Sequence, residues 1–244
     1  MRLLLKLAAV PVIAVALVAA LLLVGAYTFL PPLVEGAVAR NLQNNLGLSE
    51  TPQVELSSDP AYEMLLGKFD SGEAVLEEPG FAGVRPERVR MDLDGFDLDL
   101  EQSLREGTLV PRGELSGDIR VVLSEGELER IASTGVSGFP VREIGISGGS
   151  LSVGSSTQVL GVDVPIAVRG PVDVEGGEIV YEPEQASAFG TTLPQDITNR
   201  ILSGTEFGYP VEDLPFDGEI TGIETNEGTL ALEGSVRDLP LGGR

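Results

Sequence analysis

The stretch 88-RVRMDLDGFDLDL-100 decides the fold class. Apolar side chains alternate with charged ones as far as Leu93, Gly95 then shifts the pattern by one position, and Phe96 and Leu98 continue the apolar face. Alternation with a period of two is typical of a strand with one buried face, and a one-residue shift at a glycine is typical of a β-bulge. The stretch therefore predicts one bent strand of about a dozen residues.

The same alternation recurs along the chain, most clearly in 113-GELSGDIRVVL-123, 162-VDVPIAVRG-170 and the predicted hairpin 216–236. Because these strands have one apolar face, they indicate an antiparallel sheet. Helical patterns interrupt them, and neither a βαβ alternation nor a phosphate-binding glycine motif is present. The sequence thus predicts an α+β fold, in which a long curved antiparallel sheet of seven to nine strands wraps around a few amphipathic helices.

The segment 33-LVEGAVARNLQNNLG-47 has an apolar side chain at every fourth position, which is typical of an amphipathic helix. Its stripe consists of Val34, Val38, Leu42 and Leu46. Two interpretations stay open. The stripe faces a protein core, or the helix leans on a lipid surface or closes an apolar groove.

The N-terminal segment Leu7–Leu30 is uncharged, and Arg2 and Lys6 precede it. As a helix it would be about 36 Å long, against a bilayer core of about 30 Å. We expect residues 1–30 to be a transmembrane anchor or uncleaved signal. The N-terminus would then be cytoplasmic, and residues 31–244 would form a single extracytoplasmic domain of a single-pass protein of the cell membrane. The alternative is a signal peptide cleaved near Ala26 and a secreted product.

Composition excludes several classes of function. Arg2 and Lys6 leave 14 of the 16 basic residues in 31–244 against all 38 acidic ones, so this part has a net charge of −24. Such a surface argues against nucleic-acid binding. The chain has no histidine and no cysteine, which rules out thiol catalysis, Ser-His-Asp triads and His/Cys zinc sites. We expect no enzymatic activity and no cofactor.

The charged residues of the second half of the opening stretch form an acidic ladder, which comprises Asp92, Asp94, Asp97, Asp99 and the adjoining Glu101. It is interpreted as the solvated face of a half-buried strand. One alternative is a Ca²⁺ site, although Phe96 and the early Gly95 break the EF-hand spacing. Another is a carboxylate pair for glycoside hydrolysis, and nothing singles out two of these acids.

Aromatic and apolar side chains supply the remaining candidates for a lipid site. Phe69, Phe96 and Leu98 are either core residues or cavity lining, while Phe207 and Tyr209 either anchor a glycine-rich loop or line the mouth of a pocket. The predicted lipid-binding set is therefore Val34, Val38, Leu42, Leu46, Phe69, Phe96, Leu98, Phe207 and Tyr209.

Three stretches resemble a known family. They are residues 33–69 with the amphipathic helix, the strand 89–100 that leads to 113-GELSGDIRVVLSEGELERIAS-133, and 214-LPFDGEITGIETNEGTLALEGSV-236. Together they are similar to the LmeA-like phospholipid-binding family of exported actinobacterial proteins, over about residues 33–240. The resemblance implies an exported α+β domain that binds phospholipid, supports envelope glycolipid assembly and has no enzymatic activity of its own.

Three hypotheses follow. The first is a membrane-tethered, extracytoplasmic phospholipid-binding protein that holds acyl chains in an apolar groove and supports envelope lipid or glycolipid assembly. The second is a non-catalytic envelope scaffold or adaptor protein without a lipid cavity. The third is a glycosidase, which would need two carboxyl groups about 5–9.5 Å apart in a cleft.

Overall fold

The computed structural model of the chain describes residues 31–44, 46–80, 84–135, 141–159, 162–202, 207–209 and 217–237. The predicted membrane segment Leu7–Leu30 and the alternative cleavage site at Ala26 lie outside these residues. Among the helices that are described, none is long and apolar enough to cross a membrane.

Four α-helices and one 3₁₀ helix are described. They are α1 over residues 31–44 and 46, the 3₁₀ helix Ala61–Leu66, α2 Leu100–Glu106, α3 Glu125–Gly135 and α4 Gln195–Leu202. The strands are β1 Gln53–Ser57, β2 Lys68–Phe69, β3 Ser71–Glu77, β4 Arg88–Leu93, β5 Phe96–Asp97, β6 Ser116–Ser124, β7 Glu143–Ser147, β8 Ser150–Val159, β9 Val162–Gly170, β10 Val172–Glu175, β11 Glu178–Tyr181, β12 Gln185–Ala188, β13 Thr191–Thr192, β14 Phe207–Tyr209, β15 Asp217–Asn226 and β16 Thr229–Arg237.

The strands form four sheets, with the orders β1-β3-β4-β6-β16-β15, β13-β12-β9-β8-β7, β10-β11-β14 and β2-β5. The pairs β15–β16, β16–β6, β7–β8 and β8–β9 are antiparallel. The predicted α+β class with antiparallel pairing is confirmed. The expectation of one sheet of seven to nine strands is wrong, because the described residues contain sixteen strands. Two-residue glycine turns and helices divide the long alternating stretches into separate strands and sheets.

The opening stretch is not one bent strand. β4 lies in the six-stranded sheet, whereas β5 pairs with β2 in a separate two-stranded sheet. The chain then enters α2, because the Asp99 carboxylate accepts a hydrogen bond from the Gln102 N–H at 3.0 Å and so caps the helix. The last positions of the alternating pattern, Asp99 and Leu100, therefore form the start of a helix and not the end of a strand.

Another predicted element is confirmed. The C-terminal hairpin pairs β15 with β16 from Asp217 with Arg237 to Asn226 with Thr229, with one register shift near Gly222. A serine cap begins α3, since the Ser124 hydroxyl accepts a hydrogen bond from the Glu127 N–H at 3.4 Å.

The described chain forms two compact units. The first takes in residues 31–74 and 92–115 and the second residues 75–91 and 116–237. In the first unit the buried apolar side chains come from α1, β1, the 3₁₀ helix, β2, β5 and the segments that follow them. They are Val38, Ala39, Leu42, Leu56, Ala61, Met64, Phe69, Ala74, Phe96, Leu98 and Leu115.

The second unit has two core clusters. In one, Leu230 of β16 packs against Ile144 and Ile146 of β7. In the other, Tyr181 packs with its neighbours on β8, β9 and β12, and its hydroxyl donates a hydrogen bond to the Val168 carbonyl at 2.9 Å. Burial raises the pKa of Tyr181, so this phenol stays neutral and keeps its proton for that bond.

Helix α3 covers the free edge of the five-stranded sheet. Its Glu125 carboxylate accepts a hydrogen bond from the Ile146 N–H at 2.6 Å, and its Glu129 carboxylate accepts one from the Ile144 N–H at 2.8 Å. Residues four apart on a helix share a face, and alternate N–H groups of a strand point to one side. Glu125 and Glu129 can therefore reach the two N–H groups of β7 at the same time. These bonds satisfy edge groups that would otherwise be open to another strand.

Glu127, between those two residues, is nearly buried at 7% exposure. Its carboxylate accepts a hydrogen bond from the Arg85 N–H at 2.7 Å and one from Arg130 Nε at 2.8 Å. The Arg130 side chain above all, and the Arg85 N–H, hold the pKa of Glu127 below its ordinary value of 4.5. The ionised form is therefore favoured in the folded state, and this contribution to stability is present above that value and lost as the pH falls through the folded pKa.

We expect Glu127→Gln to lower the free energy of unfolding at pH 7 by about 1 kcal/mol, because a charge-assisted hydrogen bond is lost. As the pH falls below 4.5 and through the lowered pKa of Glu127, the wild-type carboxylate also protonates, so the difference between the two proteins should shrink. Urea unfolding followed by circular dichroism at several pH values measures this difference. Glu227→Gln on an exposed turn is the matched control, and an equal loss for both variants would contradict the prediction.

Candidate functional site

The apolar stripe of α1 is buried in its middle and open at one end. Val38 and Leu42 are buried and Val34 is half-buried, whereas Leu46 is 43% exposed. The middle of the stripe thus faces the interior of the first unit, as the core-facing interpretation predicted. The C-terminal end of the stripe reaches the surface.

Polar contacts fix α1 to its own unit. The Glu35 carboxylate accepts a hydrogen bond from the Leu56 N–H of β1 at 3.2 Å. Asn41 Nδ2 donates to the Gly107 carbonyl at the end of α2, at 3.1 Å. These contacts orient the helix, so its buried stripe has one defined partner surface.

Phe69 and Phe96 form a stacked pair beneath these elements. Their ring centroids lie 4.9 Å apart with an angle of 16° between the rings, and the two residues are opposite each other in the β2–β5 pair. Gly72 permits this packing, because a Cβ there would lie 3.1 Å from Phe96 Cε1 and 3.2 Å from Leu56 Cδ2. The Phe96 ring is therefore in close contact with protein atoms on these sides.

Leu98 is one of the most deeply buried side chains of the unit. Its N–H donates a hydrogen bond to the Gly67 carbonyl at 2.6 Å, and it forms a β-bridge with Pro111. Val38, Leu42, Phe69, Phe96 and Leu98 are thus all buried side chains of the first unit, and their lipid-contacting role stays a prediction.

Two exposed apolar side chains in the same unit, Leu65 and Leu66, were missed by the sequence reasoning. Leu65 and Leu66 of the 3₁₀ helix are each 59% exposed, although Met64 beside them is buried. The signal was present in 61-AYEMLL-66, because a six-residue helix cannot turn three consecutive apolar side chains to one side. We define the exposed leucine set as Leu33, Leu46, Leu65 and Leu66.

Phe207 and Tyr209 occupy β14, which pairs with β11 in the second unit. The structure describes their backbone, and their side chains lie outside its described part. Their predicted place at the mouth of a pocket stays a prediction.

The acidic ladder is divided among several roles. Asp99 caps α2, and the Gln102 N–H above all, together with Arg112, lowers the pKa of its carboxyl. Glu101 pairs with Arg105 one turn along the same helix, at 2.6 Å. Across the described ranges no three acidic side chains are grouped to hold a metal ion. The Ca²⁺ alternative gains no support from this arrangement.

Comparison with known proteins gives one match. The family model described as LmeA-like phospholipid-binding matches residues 25–235. No curated protein and no solved structure matches the chain. The matched range includes both units and every residue of the predicted lipid-binding set.

We expect Leu42→Ala to lower the free energy of unfolding by about 2–5 kcal/mol, since it removes a buried side chain and leaves a cavity. Leu46→Ala, one turn further along α1, should change it by less than about 0.5 kcal/mol. Urea unfolding of both variants provides the measurement. A large effect at Leu46 would show that the end of the stripe is covered in solution.

Proposed function

The chain belongs to the LmeA-like phospholipid-binding family, and from this premise we propose that it is a membrane-tethered, extracytoplasmic protein that binds phospholipid through its acyl chains and supports envelope lipid or glycolipid assembly. The observation that carries the proposal is the family match, which covers most of the chain. The absence of histidine and cysteine supports a binding protein over most hydrolytic enzymes.

Apolar contact can supply the binding free energy without a strong headgroup site. Each methylene buried from water contributes about 0.8 kcal/mol, so two acyl chains offer a large gain. In this proposal, the exposed leucine set and the apolar interior beneath it receive the acyl chains. Leu65 and Leu66 are exposed and Met64 on the same short helix is buried. We therefore take that helix as the point where the acyl chains enter.

The tether solves an electrostatic difficulty. With a net charge of −24 outside residues 1–30, the protein is repelled by an anionic lipid surface. The segment Leu7–Leu30 would hold it close to its ligand against that repulsion. Lipid binding and anchoring are then separate properties of the chain.

The second candidate function is an envelope scaffold without a lipid cavity. The close packing of Phe69 against Phe96 and of Gly72 against the same ring favours it, because these side chains already have protein partners. The two functions differ in whether phospholipid accompanies the folded protein.

We expect residues 31–244, purified from a host that contains membranes, to carry phospholipid that native mass spectrometry detects as a discrete mass increase. The same protein should take up a labelled phospholipid in competition with unlabelled lipid, and circular dichroism should verify that it is folded. A folded protein with neither bound lipid nor uptake would reject lipid binding in favour of the scaffold.

Replacing the leucines at the proposed entry point should weaken binding. We expect the double variant Leu65→Gln/Leu66→Gln to bind labelled phospholipid about tenfold less tightly, since lost apolar contact of about 1.4 kcal/mol has that effect. Both side chains are exposed, so the free energy of unfolding should stay nearly unchanged. The control Leu65→Met/Leu66→Met keeps the apolar contact. Equal affinity for the two double variants would remove this helix from the lipid site.

A further inference from the structure

Three hairpins of the second unit have the same unusual two-residue turn. The loops Gly148-Gly149, Gly176-Gly177 and Phe189-Gly190 each join residues that pair across antiparallel strands. In all three, both loop residues have positive φ, with values of 58° and 75°, 61° and 85°, and 50° and 74°. This is the pattern of a type I′ turn, for which glycine and asparagine are strongly preferred at the first position.

Two of these turns have glycine at the first position, and the third has phenylalanine. A bulky side chain at positive φ is strained, because its Cβ crowds the backbone. Burial does not compensate for the strain, since Phe189 is 68% exposed. Its N–H donates a hydrogen bond to the Pro165 carbonyl at 3.4 Å, which any residue except proline would also do. The fold thus gains little from an aromatic side chain at this turn.

The surroundings of Phe189 are also unusual in this acidic chain. Residues 185–195, here named the neutral hairpin, include β12 and β13 and contain no charged side chain. The part of β9 that pairs with β12 is uncharged over residues 164–168, and the whole of β8 is uncharged. Asp163, two residues before Pro165 on β9, is an exposed charged residue of this end of the sheet. In a chain with 22% charged residues and a net charge of −22, this end of the five-stranded sheet therefore has less repulsion toward anionic lipid than a more heavily charged surface would have.

We propose that the neutral hairpin is the part of the protein that touches the bilayer surface, with the Phe189 ring inserted among the lipid headgroups. The proposal rests on the proposed function and adds where the protein meets the membrane that supplies its ligand. Segments that lie at a bilayer surface bury apolar side chains such as phenylalanine in the boundary between headgroups and acyl chains. A strained, exposed phenylalanine surrounded by uncharged residues has the chemistry for that position.

A bilayer fits this surface better than a protein partner does. Thr191 and Thr192 beside the turn are exposed and polar, and Phe189 is the large apolar side chain that is exposed within residues 185–195. A stable protein interface buries about 800 Å² on each partner with an apolar centre. Insertion of one aromatic ring at a bilayer surface needs no such area, and the tether would supply the rest of the affinity.

The chain contains no tryptophan, so Phe189→Trp introduces a single fluorescent reporter that keeps an aromatic ring at the turn. The full chain with this substitution is reconstituted into phosphatidylcholine vesicles, with and without brominated acyl chains. We expect a blue-shifted emission that brominated lipid quenches and that acrylamide reaches poorly. The matched control is Glu227→Trp, at the two-residue turn between β15 and β16, which should remain fully accessible to acrylamide and unquenched by lipid.

Equal emission and quenching at residues 189 and 227 would overturn the proposal. A blue shift of Phe189→Trp in detergent without lipid that grows with protein concentration would also overturn it, because the turn would then contact a second copy. Lipid uptake is measured on the same protein. Uptake without quenching at residue 189 rejects only this inference, whereas quenching without uptake supports it and rejects the proposed lipid binding.

A second variant tests whether Phe189 serves the fold. Phe189→Asn places a preferred residue at positive φ, so the full chain in detergent should melt about 2–4 °C higher. Glu78→Asn is the control, since Glu78 has a φ of 46° and is exposed, and it should show a similar rise. A lower melting temperature for Phe189→Asn would show that the ring packs against the protein and would overturn the proposal.

Discussion

The contact of Leu230 with Ile144 and Ile146 joins the two large sheets of the second unit. Leu230 comes from β16, which pairs with β15 on one side and with β6 on the other. Backbone bonds reinforce the contact, because the Gly228 N–H donates to the Ile146 carbonyl at 3.1 Å and the Gly228 carbonyl accepts from the Glu125 N–H at 3.3 Å. The turn before β16 is therefore bound by backbone hydrogen bonds to both β7 and α3.

The fold could be predicted from the sequence in segments where a single local sequence pattern is present. The hairpin of β15 and β16 has apolar residues in alternation along β16 and a glycine turn, and no competing signal overlaps them. The prediction of one bent strand over residues 88–100 was wrong because two signals overlap in that stretch. Alternation favoured a continuous strand, while Asp99 followed three residues later by Gln102 is also a helix N-terminus. β5 pairs with β2 in the folded protein, and this long-range contact, which sequence spacing does not reveal, ends the strand before the helix begins.

The candidate site was predictable only in part, for a physical reason. Apolar residues at every fourth position identify the apolar face of α1, and Val38 and Leu42 on that face are buried as expected. The pattern cannot distinguish a core from a lipid-lined interior, because burial against leucine and burial against an acyl chain have nearly the same free energy. Exposure of Leu46 depends on where neighbouring elements end, and this information is not local. For Leu65 and Leu66 the signal was local, in the three consecutive apolar residues of a short helix.

Charge and strain together indicate how an acidic protein could work at a lipid surface. Repulsion acts on the protein as a whole, so a tether alone would leave every approach to an anionic leaflet unfavourable. A sheet end with few charged residues lowers that cost at one place, and an aromatic ring there adds attraction that does not depend on salt. The strain at Phe189 is then informative, because glycine occupies the same position in the two equivalent turns. A residue that a turn disfavours and the core does not use is best explained by a contact outside the protein.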